Sequence, residues 1–378
     1  MTLLERTTPT LPSRWYYDPA QYARELEAVW YRDWICVGRL DDLRESGDYI
    51  VESVGDESLI LTRDREGQPR AYHNTCRHRG SRLCGAPRGR FPNGRIVCPY
   101  HGWTYGLSGE LLATPKMDLP ADFHRDEYPL YEAQVDTWGG FLFVNLGERP
   151  ASTLTDFLGD EAGNVKRWPL AGLVSVHREV DSLACNWKLF WENYSECYHC
   201  PGLHPELCRV MPLYREGLLS YADSRTSSPA EPAEDTRPRV APGYKTWTLD
   251  GQSNLPLIEG PSDADRALGV VFASFTASLF VVAHPDYVRS VRILPRGPER
   301  VELTVDWLLA PGVAERHPEE LERMIALGRL VVAQDGRVCE INQQGLRSRR
   351  HREGVLMPQE QSLHEFHEWL RARLLEAS

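Results

Sequence analysis

Two stretches decide how this chain is read: HNTCRHRGSRLC at residues 73–84 and VCPYHGWTYGLSGEL at residues 97–111. Each offers one thiol and one imidazole on a tight turn, Cys76 with His78 and Cys98 with His101. Two soft and two borderline donors suit either a zinc ion or a 2Fe–2S cluster of mixed ligation. A two-Cys, two-His zinc site normally pairs its cysteines in one half and its histidines in the other. Here Cys and His alternate along the chain, the order required if each half gives one ligand to each of two irons. Arg79-Gly80 and Gly102-Trp103 flank the donors and let the backbone approach bridging sulfides, where amide N–H groups tune the potential.

The rest of the chain is too long to serve that site alone. With 378 residues, two domains are expected. A hydrophobic share of 42% is enough to bury real cores, and 26% charged residues is ordinary for a globular protein. The net charge of −11 repels phosphate backbones, so nucleic acid is not an expected partner. Nine cysteines, an odd number, do not make a disulfide scaffold at this length. Apart from Cys76 and Cys98, the cysteines at 36, 84, 185, 197, 200, 208 and 339 read as free thiols in a reducing compartment. The start, MTLLERTTPTLPSR, has no apolar signal region, and the longest apolar run, 268–283, is interrupted by Ser and Thr. A cytoplasmic protein with no membrane association is expected.

Apolar positions at Tyr22, Leu26 and Trp30 predict a helix over 18–33. Short β-branched or apolar runs at 47–53, 58–62, 71–74 and 140–145, separated by turn residues, predict a small β domain. The expected division is an N-terminal helical segment at 1–35, a β domain at 36–150 and a larger domain at 151–378. In the larger domain, 173–182 reads as a strand, and 186–200 as a helix stopped by Pro201-Gly202. Strand-like runs at 268–283, 287–294 and 301–309 precede a long amphipathic helix near 318–345, an α+β pattern. The Ser/Pro/acid-rich stretch 225–266 reads either as a surface loop or as a lid over a pocket.

Before Pro201-Gly202 stand Glu196 and His199, three apart and on one face if helical. After the break comes His204, which a reversal of the chain would bring beside His199. Two imidazoles and one carboxylate form the facial triad of O₂-activating Fe(II). Glu196, Asp335, Glu340 and, less well placed, Glu322 are candidates for the carboxylate. Phe272, Phe275, Phe280, Tyr287 and Trp247 supply rings for a cage around a methylated ammonium, or ordinary sheet core.

The two Cys/His stretches resemble the Rieske domain of the ring-hydroxylating and quaternary-amine oxygenase family. The gap between His78 and Cys98 is slightly longer than usual there, which implies a longer turn at 88–94. NYSECYHCPGLHPE, 193–206, is similar to the family's iron-ligand segment, and QDGRVCEINQQG, 334–345, to the segment that supplies its third ligand. The resemblance runs from about Trp15 to Leu370 and is nearest in texture to oxygenases of glycine betaine, carnitine or choline. It implies an α+β fold, with a small all-β Rieske domain and a larger helix-grip catalytic domain. It implies a 2Fe–2S cluster held by Cys76, His78, Cys98 and His101, and an Fe(II) held by His199, His204 and Asp335. Asn193 would sit near the metal, with Glu340, Asn342 and Gln343 in supporting positions, and Gly336 would weaken the helix so that Asp335 turns inward. A separate flavin and iron–sulfur reductase would deliver electrons from NAD(P)H. A head-to-tail homotrimer would place Glu196 at the subunit boundary, between a cluster histidine, His101, and His199. The implied activity is oxygenation with O₂, foremost monooxygenation or N-demethylation of a methylated amine, alternatively hydroxylation or cis-dihydroxylation of an aromatic compound. An electron-transfer protein without O₂ chemistry is the rival of a different class.

Overall fold

The computed structural model describes residues 4–115, 119–219 and 238–377. They form two compact units, Val29–Leu158 and Met1–Ala28 together with Gly159–Ser378.

The smaller unit is all β apart from single 3₁₀ turns and a five-residue helix at its end, Leu154–Leu158. Its strands are β1 (Ile35–Arg39), β2 (Asp48–Val54), β3 (Glu57–Arg63), β4 (Pro69–His73), β5 (Arg88–Arg90), β6 (Arg95–Val97), β7 (Thr104–Gly106), β8 (Leu111–Ala113), β9 (Glu132–Trp138) and β10 (Phe141–Asn145). Seven of them make an antiparallel sheet in the order β1-β10-β9-β4-β3-β2-β5, and β6-β7-β8 make a second, small sheet. One core holds Ile60, Tyr72, Ile96, Tyr105 and Leu107 together with Cys76 and Cys98. One Cys/His loop leaves the end of β4, and the other is the tip of the β6–β7 hairpin. The strands β5 to β8 were not legible in the sequence, because runs of three residues carry no alternation to read.

The larger unit is built on a five-stranded antiparallel sheet of β11 (Val174–Leu183), β12 (Val271–Phe275), β13 (Leu279–Ala283), β14 (Val288–Gly297) and β15 (Arg300–Leu309), in the order β11-β15-β14-β13-β12. The helix α1 (Pro19–Glu25) belongs to this unit, as do α2 (Trp187–Tyr194), the one-turn α3 (Cys200–Leu203), α4 (Pro205–Val210), the long α5 (Leu321–Leu346) and α6 (Gln361–Glu376). Met324, Leu327, Val331, Asp335, Cys339, Gln343 and Leu346 repeat every three to four residues on the buried stripe of α5. The expected α+β architecture, a sheet with a long helix, is what the chain adopts.

Three local readings are corrected. Residues 186–200 are not one helix: α2 ends at Tyr194, with Ser195 closing it onto Glu192, so Glu196 and His199 lie in a turn. Pro201 does not break a helix. It opens α3, at a position where its missing N–H costs nothing. Gly336 does not bend α5, which is continuous; a Cβ there would stand 2.9 Å from Leu183, so the glycine lets the helix approach the end of β11. The helix α6 was unforeseen. Of the 225–266 stretch, residues up to 237 lie outside the described residues.

Buried polar groups pin α2 in place. Lys188 Nζ donates to both carboxylate oxygens of Glu25, at 2.8 and 2.7 Å, and to the carbonyl of Trp15 at 3.0 Å. Trp187 Nε1 donates to the same carboxylate at 2.9 Å. Gln343 of α5 accepts from the amide of Asn186, the residue that caps α2, and Glu340 accepts from Ala184 just before it. The long helix thus sets the position of the segment that leads into 193–206.

Candidate metal centres and active-site cavity

The two Cys/His loops close in the same way. Gly80 N–H donates to Cys76 O at 2.9 Å, and Gly102 N–H to Cys98 O at 3.0 Å. Both glycines have positive φ, +69° and +70°, which a side chain would strain. The loops bring His78 and His101 edge to face with ring centres 4.7 Å apart, and Trp103 stacks on His78 at 4.9 Å. Burial pushes the Cys76 thiol up, with Cys98 close enough to add to the effect, while Tyr105 Oη lies 3.3 Å from Cys76 Sγ. Burial, then His101 and Arg79, lowers the His78 pKa, which favours the neutral, ligating imidazole. Nδ1 of His101 is buried without a hydrogen-bond partner among the described residues. An orphaned lone pair beside a second imidazole and two neighbouring thiols fits a mixed-ligand cluster.

The second donor set lies in the larger unit. His204 Nε2 is 2.8 Å from Asp335 Oδ1, His199 Nε2 is 3.4 Å from the same oxygen, and the two Nε2 atoms are 3.2 Å apart. Of the four candidate carboxylates, Asp335 is therefore the one that meets both imidazoles. Glu340 is engaged with Ala184, and Glu322 pairs with Arg329 at an exposed surface. The buried stripe of α5 carried this information in the sequence, since Asp335 is in phase with it and Glu322 and Glu340 are not.

Each histidine is oriented from behind. Glu196 Oε1 lies 2.5 Å from His199 Nδ1, while its Oε2 takes the amides of Tyr198 and His199. Gln334 Oε1 lies 2.7 Å from His204 Nδ1, a partner that the sequence reading missed although it adjoins Asp335. With both Nδ1 atoms donating backward, both Nε2 atoms point at the Asp335 carboxylate and are the positions a metal would take in place of a proton. Burial alone would lower the His199 pKa, but hydrogen bonds and charge from Asp335 and Glu196 outweigh it and raise it to about 9. Burial would raise the Asp335 pKa, and the same two histidines more than reverse that. The trio demands positive charge, and two imidazoles with one carboxylate fit Fe(II) with positions left open.

Cys197 and Cys200 flank His199 and form a disulfide, with Cα atoms 5.0 Å apart. This corrects the reading of both as free thiols: the turn after α2 brings positions three apart onto one side.

The triad opens on a cavity of about 670 Å³. Asn193 lines it, with a buried Oδ1 that has no partner among the described residues. Its aromatic wall includes Trp191 stacked on Phe280 at 4.2 Å, and Phe366 6.1 Å from Trp191. Trp247 and Phe272 also face it, whereas Phe275 and Tyr287 are buried elsewhere in the unit. No helix among the described residues is long and apolar enough to cross a membrane.

Comparison with known proteins agrees with this geometry. Residues 33–125 match the Rieske [2Fe-2S] domain, and residues 161–376 match the ring hydroxylating alpha subunit catalytic domain. The glycine betaine monooxygenase oxygenase subunit of Chromohalobacter salexigens is 31% identical over 375 residues, covering 91% of this chain and 81% of that protein. The chloroplastic choline monooxygenase of Spinacia oleracea is 31% identical over 373 residues, covering 97% and 78%. Among solved structures, a quaternary ammonium Rieske monooxygenase described for carnitine oxidation superposes with a TM-score of 0.76 at 21% identity, covering 97% of this chain and 95% of that one. Naphthalene 1,2-dioxygenase from Rhodococcus sp. gives 0.75 at 19%, covering 98% and 95%. With a Rieske domain ahead of a catalytic domain that holds a two-histidine, one-carboxylate iron site, the chain belongs to the alpha subunits of the Rieske non-haem iron oxygenases.

Proposed function

We propose that this oxygenase monooxygenates a small methylated amine, with N-demethylation as the expected outcome. The observation that carries the reading is the wall of Trp191, Phe280 and Phe366 in the same cavity as His199, His204 and Asp335. Aromatic faces attract a methylated ammonium through the negative face of the ring quadrupole. The relatives named for glycine betaine and choline support the same class of substrate.

When bound, the cluster supplies single electrons and the Fe(II) binds and activates O₂. Cys76, His78, Cys98 and His101 are assigned to the cluster, and His199, His204 and Asp335 to the iron. The chain's own work is positional. Glu196 and Gln334 hold the two imidazoles in the tautomer that leaves Nε2 free, and the rings keep bulk water from the reacting methyl group. Asn193 offers an amide at the cavity wall. In the head-to-tail homotrimer that this reading includes, a neighbouring subunit's cluster histidine, His101, would share the Glu196 carboxylate. Electrons would come from NAD(P)H through a separate flavin and iron–sulfur reductase, in the cytoplasm.

The test is O₂ uptake by the iron-loaded enzyme with a reductase, across methylated amines and aromatic acids, with formaldehyde measured alongside. Uptake coupled to formaldehyde with an amine supports the reading. Uptake only with arenes would assign ring oxygenation instead, and a protein with no substrate-dependent uptake would be an electron carrier.

A further inference from the structure

Arg289, on β14, is almost fully buried, at 1% exposure, and lines the iron cavity. A guanidinium remains charged at every ordinary pH, so burying it calls for an anion. None is present among the described residues. Its Nη2 donates to the Tyr194 hydroxyl at 2.8 Å, while Nε and Nη1 are buried with no partner. The guanidinium stands 5.8 Å from the centre of the Trp247 ring.

The buried acids Asp335 and Asp286 do not pair with it, and Asp286 Oδ2 is itself without a partner among the described residues. Asp335 faces His199 and His204, and Asp286 is bonded to the Thr246 hydroxyl at 2.7 Å, its carboxyl pushed up by burial. His284 cannot help either, because burial and then Arg289 itself hold its pKa down to about 3. Space for the guanidinium is built into α5: a Cβ at Gly328 would stand 2.6 Å from Nη1 and 3.2 Å from Cδ of Arg289. A chain of contacts then leads to the aromatic wall. Tyr194 holds Arg289 and lies 4.7 Å, centre to centre, from Phe280, which stacks on Trp191.

We infer that Arg289 is the site's carboxylate clamp, so that the substrate is a zwitterion whose carboxylate meets the guanidinium while its methylated ammonium lies against Trp191 and Phe280. The ammonium half of this statement rests on the function proposed above; the carboxylate half does not. Nε–H, together with the N–H of Nη2 that Tyr194 does not take, makes the side-on fork that a carboxylate accepts, and Nη1 remains without a partner among the described residues. An alcohol such as choline offers no charge to the guanidinium. Binding it would leave the buried cation uncompensated, so the clamp discriminates by penalty as well as by attraction.

The experiment measures ligand affinity of the metal-loaded protein by calorimetry, independently of turnover. The probes are glycine betaine, its methyl ester and choline, against wild type, Arg289→Gln, Arg289→Lys and Gly328→Ala. Wild type should prefer glycine betaine to the ester and to choline by at least about tenfold. Arg289→Gln should weaken glycine betaine by about 100-fold and the ester by less than about threefold. Arg289→Lys, which keeps charge without the fork, should fall between, and Gly328→Ala should weaken the acid selectively by displacing the guanidinium. Equal loss for acid and ester would mean a merely structural role and would overturn the clamp, as would equal affinity of wild type for all three probes. If no methylated amine binds, benzoate and phenylacetate are titrated against their amides. Binding of the acids alone, lost in Arg289→Gln, would retain the clamp and discard the amine; no binding of the acids would discard the clamp.

Discussion

Glu196 Oε1 stands 2.5 Å from Nδ1 of His199, and the opposite nitrogen of that ring faces Asp335. One carboxylate therefore fixes the ring while also taking the amides of Tyr198 and His199 on its other oxygen. A glutamine has one oxygen and one NH₂ in place of two acceptors, so either the ring or the amides lose their partner. Glu196→Gln should still load both metal centres at saturating iron, while substrate-dependent O₂ uptake falls by about 10- to 100-fold. Metal analysis and oximetry on the same preparation check this; unchanged uptake would remove Glu196 from the mechanism.

Asp335→Ala should abolish mononuclear iron binding and turnover while the visible spectrum of the cluster stays intact. Glu340→Ala, which loses only the bond to Ala184 N, should keep its iron and lose about 1 kcal/mol of stability. Iron loss in the second variant instead of the first would place the ligand carboxylate one turn further along α5.

The orphaned Nδ1 of His101 leads to a prediction about potential. His101→Cys should keep an iron–sulfur chromophore but lower its midpoint potential, because imidazole ligation raises Rieske potentials above those of all-thiolate clusters. Spectroelectrochemistry reads the shift, and an unaltered potential would show that His101 is not a ligand.

Lys188 and Glu25 are both fully buried, and each is the other's main partner. Lys188→Met leaves an unpaired carboxylate in the interior and should cost about 3–5 kcal/mol. Denaturant titration followed at the tryptophans would measure it. The double variant with Glu25→Gln should recover part of the loss, since it removes the stranded charge.

The parts of this molecule that the sequence made legible are those fixed by local spacing. The alternation of Cys76, His78, Cys98 and His101 and the proximity of His199 to His204 depend on turns a few residues long. The long helix was visible because its apolar stripe runs through 26 residues. Spacing failed where a turn competes with a helix: Glu196 and His199 are three apart in either case, but Glu196 caps amides within the turn. Arg289 was invisible for another reason. An arginine in a strand is unremarkable until its surroundings show that no anion reaches it, and those surroundings come from α2, α5 and the segment around Trp247, far apart in the chain. The Cys197–Cys200 bond was equally out of reach, because it depends on the turn that replaced the expected helix.

Residues 1–28 belong to the larger unit although the whole smaller unit intervenes before the rest of it. On the ribosome this order has a cost in time. Glu25 emerges 163 residues ahead of Lys188, a delay of roughly 10–30 s at ordinary synthesis rates. The Cys/His unit, by contrast, is contiguous and has all its strands in hand once residue 158 has cleared the exit tunnel. The electron-carrying module therefore has the opportunity to fold, and to be supplied with its cluster, while the catalytic module is still an incomplete chain whose first helix waits for its partners.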